Sequence, residues 1–163
     1  MDHLIATKHE LLLDHAEQRS EGARLVMAVL RTAALLDREC GARLAQFDVS
    51  EARFAVLLAA AAHDPATPAA LAERLDITRA AVTGLVDGLV GQGFAIRAAV
   101  PEDRRSFTVA VTPAGRAVLD ALRPVYGGWL TQLTATLDPA SVGPALTALG
   151  EIQRALDPES ARG

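Results

Sequence analysis

A chain of 163 residues can hold one domain with a proper core but is short for two independent ones. Half of its residues are apolar, mostly Ala, Leu and Val, which excludes disorder over most of the length and favours helices packed through small side chains. A single cysteine excludes an internal disulfide framework and a multi-thiolate zinc site. Charges interrupt every later apolar run, and no basic stretch leads into an apolar segment at the start, so the expectation is a soluble, cytoplasmic protein without membrane association. The net charge of −4 weighs against DNA at first sight, yet a duplex needs positive charge only where its phosphates lie. From Met1 to Glu21 there are two basic and five acidic residues, against six and five from Pro68 to Arg116. That polarisation is weak and leaves DNA binding open at this point.

Leu4 to Arg19 reads as a helix, followed by a better helical run from Gly22 to Phe47. There Leu25, Val29, Ala33, Leu36, Cys40 and Leu44 recur at three- and four-residue intervals and form a long apolar stripe. Ser50 is placed to cap the next helix, whose buried side is read as Phe54, Leu57 and Leu58, and His63-Asp64-Pro65 ends it. Thr67-Pro68 is a cap followed by proline at the first helical position, opening a short helix to Arg74. Asp76-Ile77 makes a tight connection to Thr78, which caps a helix from Arg79 to Val90. Val82, Leu85, Val86 and Leu89 form its apolar side; Arg79, Ala80, Thr83, Gly84 and Asp87 lie opposite.

The period then changes. Phe94 to Val100 and Ser106 to Val111 read as strands, the second alternating Phe107, Val109 and Val111 with Ser106, Thr108 and Ala110. Pro101-Glu102-Asp103-Arg104-Arg105 is read as the turn between them, with Arg104 and Arg105 at the tip and Asp103 placed to hold one arginine. Thr112-Pro113 opens a long helix to about Leu137, with a loosening at Gly127-Gly128. Asp138-Pro139 starts the last helix, with its stripe of Leu146, Leu149, Ile152 and Leu156. The residues from Pro158 read as a frayed tail.

Two short helices joined by a tight turn, then an arginine-tipped hairpin, form a unit suited to a duplex. The second helix fits the major groove, where its small outer residues let the backbone approach base edges. Thr83 and Arg79 reach toward bases, Thr78 and the helix amino end toward a phosphate, and Arg104 and Arg105 toward the neighbouring backbone or minor groove. Arg97 reads equally as a wing contact or as part of a solvated face. A structural or protein-binding module is the competing reading of the same elements.

The run from Thr67 to Leu75, then Ile77 to Asp87, Leu89, Gly93-Phe94, Arg97, Pro101-Glu102-Asp103-Arg104-Arg105 and Val111-Thr112-Pro113-Ala114-Gly115-Arg116 resembles the MarR family of transcriptional regulators. The likeness is densest from Glu51 to Arg116. It implies a mainly α fold with a small β-hairpin wing: a winged helix-turn-helix with N- and C-terminal dimerisation helices. In this reading residues 1–20 are a helical leader, 21–156 the domain, with DNA-binding core 51–116 and helix-turn-helix 67–90, and 157–163 a flexible tail. The resemblance implies a homodimer on a palindromic double-stranded operator, with Thr78, Arg79, Ala80, Thr83, Gly84, Arg97, Arg104 and Arg105 as DNA contacts. It also implies a repressor released by a small aromatic or phenolic ligand, whose cleft would be lined by Met27, Leu30, Phe54, Leu58, Tyr126 and Trp129. Two departures stand out: a recognition helix poor in charge, and the extra leader.

Catalysis finds no support: there is no nucleophile elbow, and no glycine-rich phosphate loop precedes the single lysine, Lys8. No cofactor or metal is expected. His3, His9 and His15 fall about 120° apart around a helix and do not converge. His63 is read as a contact to the last carbonyls of its helix. Cys40 lies on an apolar stripe beside Asp37 and Glu39, which points to a small buried hydrophobe; a redox-sensing role is the alternative. An architectural DNA-binding protein and an interaction module without operator binding remain as further alternatives.

Overall fold

The computed structural model describes residues 4–100 and 103–157, with the backbone alone at residues 100 and 103–106. His3, the hairpin residues Pro101 and Glu102, and the tail from Pro158 lie outside the described residues. The elements in chain order are α1 (Thr7–His15), α2 (Glu21–Ala45), α3 (Glu51–Ala62), α4 (Pro68–Leu75), α5 (Arg79–Gly91), β1 (Ala95–Val100), β2 (Asp103–Val111), α6 (Pro113–Thr134) and α7 (Pro139–Leu156). The result is a mostly helical chain with one antiparallel hairpin.

Local chemistry sets these boundaries. Ser50 accepts from the Arg53 amide at 3.4 Å, Thr67 from Ala70 at 3.2 Å and Thr78 from Ala81 at 3.1 Å, each satisfying an otherwise orphaned helix amide. Asp76 takes a left-handed conformation (φ 51°), so that two residues suffice to turn the chain from α4 toward α5. Gly93 (φ 76°) closes α5: its amide bonds the Val90 carbonyl and the Phe94 amide that of Leu89, a Schellman end. Two helices differ from expectation. The first is shorter than Leu4–Arg19, because Ala6 offers no side-chain cap and Glu17 turns left-handed. The helix through Gly127-Gly128 runs unbroken but stops at Thr134.

Residues 39–128 form one compact unit. Its core joins Val56, Leu57 and Ala60 of α3, Leu71 of α4, Val82, Val86 and Leu89 of α5, and Val109 of β2, all buried. The buried face of α3 is thus rotated from the expected one. Leu57 is inside, but Leu58 is 46 % exposed and Phe54 only partly covered, because α4, α5 and β2 all pack on the Val56–Ala60 side.

The hairpin pairs Ala95 with Val111 through Ala99 with Phe107, then breaks register, and Val100 pairs with Asp103. The second strand therefore begins at Asp103 rather than Ser106. Residues 104–106 have no opposite number on β1 and form a bulge, the usual way to absorb extra residues without losing the ladder. Ala66 adds a short third rung, exchanging both backbone hydrogen bonds with Val109 at 3.0 and 2.8 Å.

The remaining described residues, 4–38 and 129–157, form a second unit. In it Ile5 and Leu13 close over Ala28, with Ala23 and Met27 alongside. Most of its stripe residues stay uncovered: Leu25, Leu30, Leu130, Leu133, Leu146 and Leu156 are all exposed, and α7 buries no residue.

Where β2 meets α6, Thr112 Oγ1 donates to the Gly93 carbonyl at 2.7 Å and accepts from the Gly115 amide at 3.1 Å. A Cβ at position 115 would run into the Phe94 carbonyl and the Val111 side chain, so only glycine allows this approach. Gly115→Ala should lower stability by about 1–3 kcal/mol, the range for overpacking, measured by urea unfolding with an unchanged m-value.

Candidate nucleic-acid interface

The core of the first unit fixes which side of α5 faces solvent. With Val82, Val86 and Leu89 fully buried, Arg79, Ala80, Ala81, Thr83, Gly84 and Asp87 are turned outward and exposed. Five of these are on the outer face expected from sequence, and Ala81 joins them. The two glycines next to this face differ. At Gly88 an added Cβ would meet the Arg53 guanidinium, the far end of a flexible side chain that would have to move aside. At Gly84 it would meet nothing within 4 Å, so nothing inside the chain requires a bare backbone there. Thr83 Oγ1 donates to the Arg79 carbonyl at 2.9 Å, which commits its proton to its own helix. Thr78 is exposed and holds the amino end of α5 as its cap.

The wing positions divide. Arg97 Nη2 lies 2.5 Å from Asp87 Oδ1, and its guanidinium stacks 4.6 Å from the centre of the Phe107 ring. It therefore pins β1 to α5 on one side and to β2 on the other, rather than standing as a free solvated arginine. Arg104 and Arg105 sit on β2, one and two residues after the Val100–Asp103 pair; their side chains, and that of Asp103, lie outside the described residues. Arg116 of α6 forms an ion pair with Asp64 in the α3–α4 connection. His63 differs from expectation. Its Nε2 accepts from Arg74 of α4 at 2.8 Å.

A second feature of this unit is an apolar cleft of about 540 Å³ between α3 and α6, lined by Phe54, Leu58, Ala61, Ala62, Leu119, Leu122, Arg123 and Tyr126. The Phe54 and Tyr126 rings meet at 5.4 Å between centres, tilted by 37°. Burial holds the Tyr126 hydroxyl far above the usual tyrosine range. A hydrogen bond to Cys40 and the nearby Cys40 and Glu51 push the same way, and Arg43 opposes them. Cys40 is accordingly half-buried against a tyrosine and is not simply a core hydrophobe. Of the cleft residues expected from sequence, Phe54, Leu58 and Tyr126 come together. Met27, Leu30 and Trp129 belong to the other unit, where Met27 packs on the Ile5–Leu13–Ala28 cluster and Leu30 is exposed. Leu119, Leu122 and Arg123 were missed, although their three- and four-residue spacing to Tyr126 marks one helical face. Among the described residues no cluster of His, Cys, Asp or Glu is placed to hold a metal ion, and no helix is long and apolar enough to cross a membrane.

The Arg97–Asp87 contact generates a test. Both groups are partly exposed, so their direct coupling in an Arg97→Ala, Asp87→Ala double-mutant cycle should be only about 0.2–1 kcal/mol. Amide exchange in β1 and β2 should nevertheless accelerate in Arg97→Ala, because the stacking on Phe107 is lost as well. Unchanged wing exchange would show that the pin does not hold the hairpin.

Comparison with known proteins agrees with this geometry. Residues 47–106 match the family model described as MarR family. The HTH-type transcriptional regulator MT0903.1 of Mycobacterium tuberculosis is 32 % identical over 114 residues, covering 70 % of this chain and 77 % of that protein. The HTH-type transcriptional repressor YetL of Bacillus subtilis is 33 % identical over 92 residues, covering 55 % of this chain and 53 % of its own length. Among solved structures, Bordetella bronchiseptica BpsR, whose DNA binding is regulated by 6-hydroxynicotinic acid, superposes with a TM-score of 0.56 at 23 % identity over 76 % of this chain and 98 % of that one. The exposed recognition face, the pinned hairpin and these likenesses converge: the chain belongs to the MarR family of winged helix-turn-helix transcriptional regulators, DNA-binding proteins rather than enzymes.

Proposed function

We propose that the protein binds a palindromic operator as a homodimer and represses transcription until a small aromatic compound occupies the cleft between α3 and α6. The observation that carries the DNA reading is the outer face of α5: exposed, built of small residues, and bare at Gly84 without any packing reason. Arg79, Ala80, Thr83 and Gly84 meet the major groove, Thr78 and the amino end of α5 a phosphate, Arg104 and Arg105 the backbone or minor groove, and Arg97 sets the angle of the wing. The dimer reading rests on α7, an eighteen-residue amphipathic helix that buries nothing in its own chain, together with the exposed leucines of α2 and α6. The ligand reading rests on the volume and apolar lining of the cleft, which suit a small ring. Repression by YetL and the regulation of BpsR by 6-hydroxynicotinic acid point the same way.

A redox variant of this reading has one observation behind it, the Cys40–Tyr126 hydrogen bond beside the cleft. In that variant peroxide replaces the aromatic ligand as the releasing signal, and operator binding insensitive to peroxide discards it.

Selection of bound sequences from a random duplex pool tests the main reading. An inverted repeat with half-sites roughly one helical turn apart, about 34–36 Å, is the expected result, and a flat pool overturns it. Sedimentation at micromolar concentration should show a dimer in the absence of DNA. Salt titration separates the two contact types: Arg104→Ala should weaken operator and scrambled duplex alike and reduce the salt slope by roughly two units per dimer, one phosphate contact being lost from each protomer. An Arg104→Ala protein that binds both duplexes like the parent would show that the hairpin does not touch DNA.

A further inference from the structure

We infer that α5 recognises its operator mainly through methyl groups, with Ala80 and Thr83 packing on the C5-methyl of thymine; this rests on the operator reading above. The argument is an inventory of what the exposed face can offer. Ala80, Ala81 and Gly84 carry no polar side-chain atom. Asp87 carries acceptors only and is held by Arg97 at 2.5 Å. The Thr83 hydroxyl proton is spent on the Arg79 carbonyl at 2.9 Å, leaving its oxygen as an acceptor and its methyl turned to solvent. Arg79 is thus the one side-chain donor among these outward residues, the Thr78 hydroxyl lying at the amino end of the helix as its cap.

The base edges then sort themselves. Guanine presents two acceptors to the major groove and needs donors, so a face with one arginine reads guanine at one position per half-site at most. Adenine and cytosine present amino groups that the Thr83 oxygen can accept from. Thymine alone presents a methyl group, and three of the outward residues are apolar or bear a methyl: Ala80, Ala81 and Thr83. Ala80 and Gly84 are four residues apart and lie one above the other on the helix. With no side chain at Gly84, the helix can approach a groove floor closely enough for the Ala80 and Thr83 methyls to reach it. The thymine methyl withdrawn from water in such a contact strengthens binding by roughly fourfold per half-site, or about fifteenfold for a symmetric site.

The experiment uses the full-length protein and the operator recovered from the random pool. Each thymine is replaced by deoxyuridine, symmetrically in both half-sites, which removes the methyl and leaves every hydrogen-bonding group in place. At one or two positions per half-site, affinity should fall by about fifteenfold. Thr83→Ser keeps the hydroxyl and deletes the protein methyl, and Ala80→Gly deletes the other. At the position each residue reads, the variant should bind thymine and uracil operators equally, closing a double-mutant cycle between protein and DNA methyls. The ratio of the two affinities is taken on one protein preparation, so any loss of folded fraction cancels. Uniform tolerance of uracil at every position, or discrimination surviving intact in both variants, overturns methyl recognition while leaving the operator intact. Failure to recover any operator would overturn the operator reading itself.

Discussion

The burial of Val82, Val86 and Leu89 against α3, α4 and β1 is the contact on which the rest of this architecture depends. A helix of thirteen residues has little stability alone, and its orientation comes from whatever covers its apolar side. Here three elements cover it. Rotation of α5 about its axis would expose fully buried valines and withdraw Leu89 from the core, so the opposite face is fixed with equal firmness. The presentation of Arg79, Ala80, Thr83 and Gly84 to solvent is a consequence of that core, and these residues need no interactions of their own to hold them in place.

The wing is held by different means. It is only two strands with a bulge near its tip, and such a hairpin has marginal stability by itself. Its base is secured by backbone and near-backbone contacts: the Schellman end of α5, the Thr112 hydroxyl bridging Gly93 and Gly115, and the Ala66–Val109 rung. Arg97 fastens its middle to α5 and Phe107. The grip weakens toward the tip, where the register breaks after Ala99. On the DNA reading proposed above, contacts made at the bulge would fall beyond the secured base of the hairpin and leave α5 in place.

Much of this was legible in the chain. Caps at Ser50, Thr67, Thr78 and Asp138 each announced a helix, because a hydroxyl or carboxylate with an amide three or two residues on leaves a signature in composition. The period-two pattern of Phe107, Val109 and Val111 marked β2. What escaped was set by tertiary neighbours. The covered face of α3 could not be read from Phe54, Leu57 and Leu58, since all three are apolar and only the arrival of α4 and α5 on one side decides between them. The pairing of Arg97 with Asp87, and of His63 with Arg74, joins residues ten and eleven apart on different elements, which no local pattern encodes. The start of β2 at Asp103 was hidden because a bulge has no periodicity to recognise.

The rotation of α3 also has a functional consequence. Because Val56, Leu57 and Ala60 serve the core, Phe54 and Leu58 are released to line the cleft, and one helix carries both surfaces. The opposite wall, α6, begins at the Thr112–Gly115 closure, where an added methyl could not fit against Phe94. The two walls therefore grip α5 at separate points: α3 along its buried face, and the start of α6 at its carboxyl end through Gly93 and Phe94. Close-packed contacts of this kind do not deform smoothly, so a ring wedged between Phe54 and Tyr126 cannot widen the cleft without shifting one of those grips. The second grip also bears on the junction of α5 with β1, at Gly93 and Phe94. On the ligand reading proposed above, a compound that never touches the outer face of α5 would release DNA only by binding better when those grips are displaced, which is what coupling between two distant sites requires.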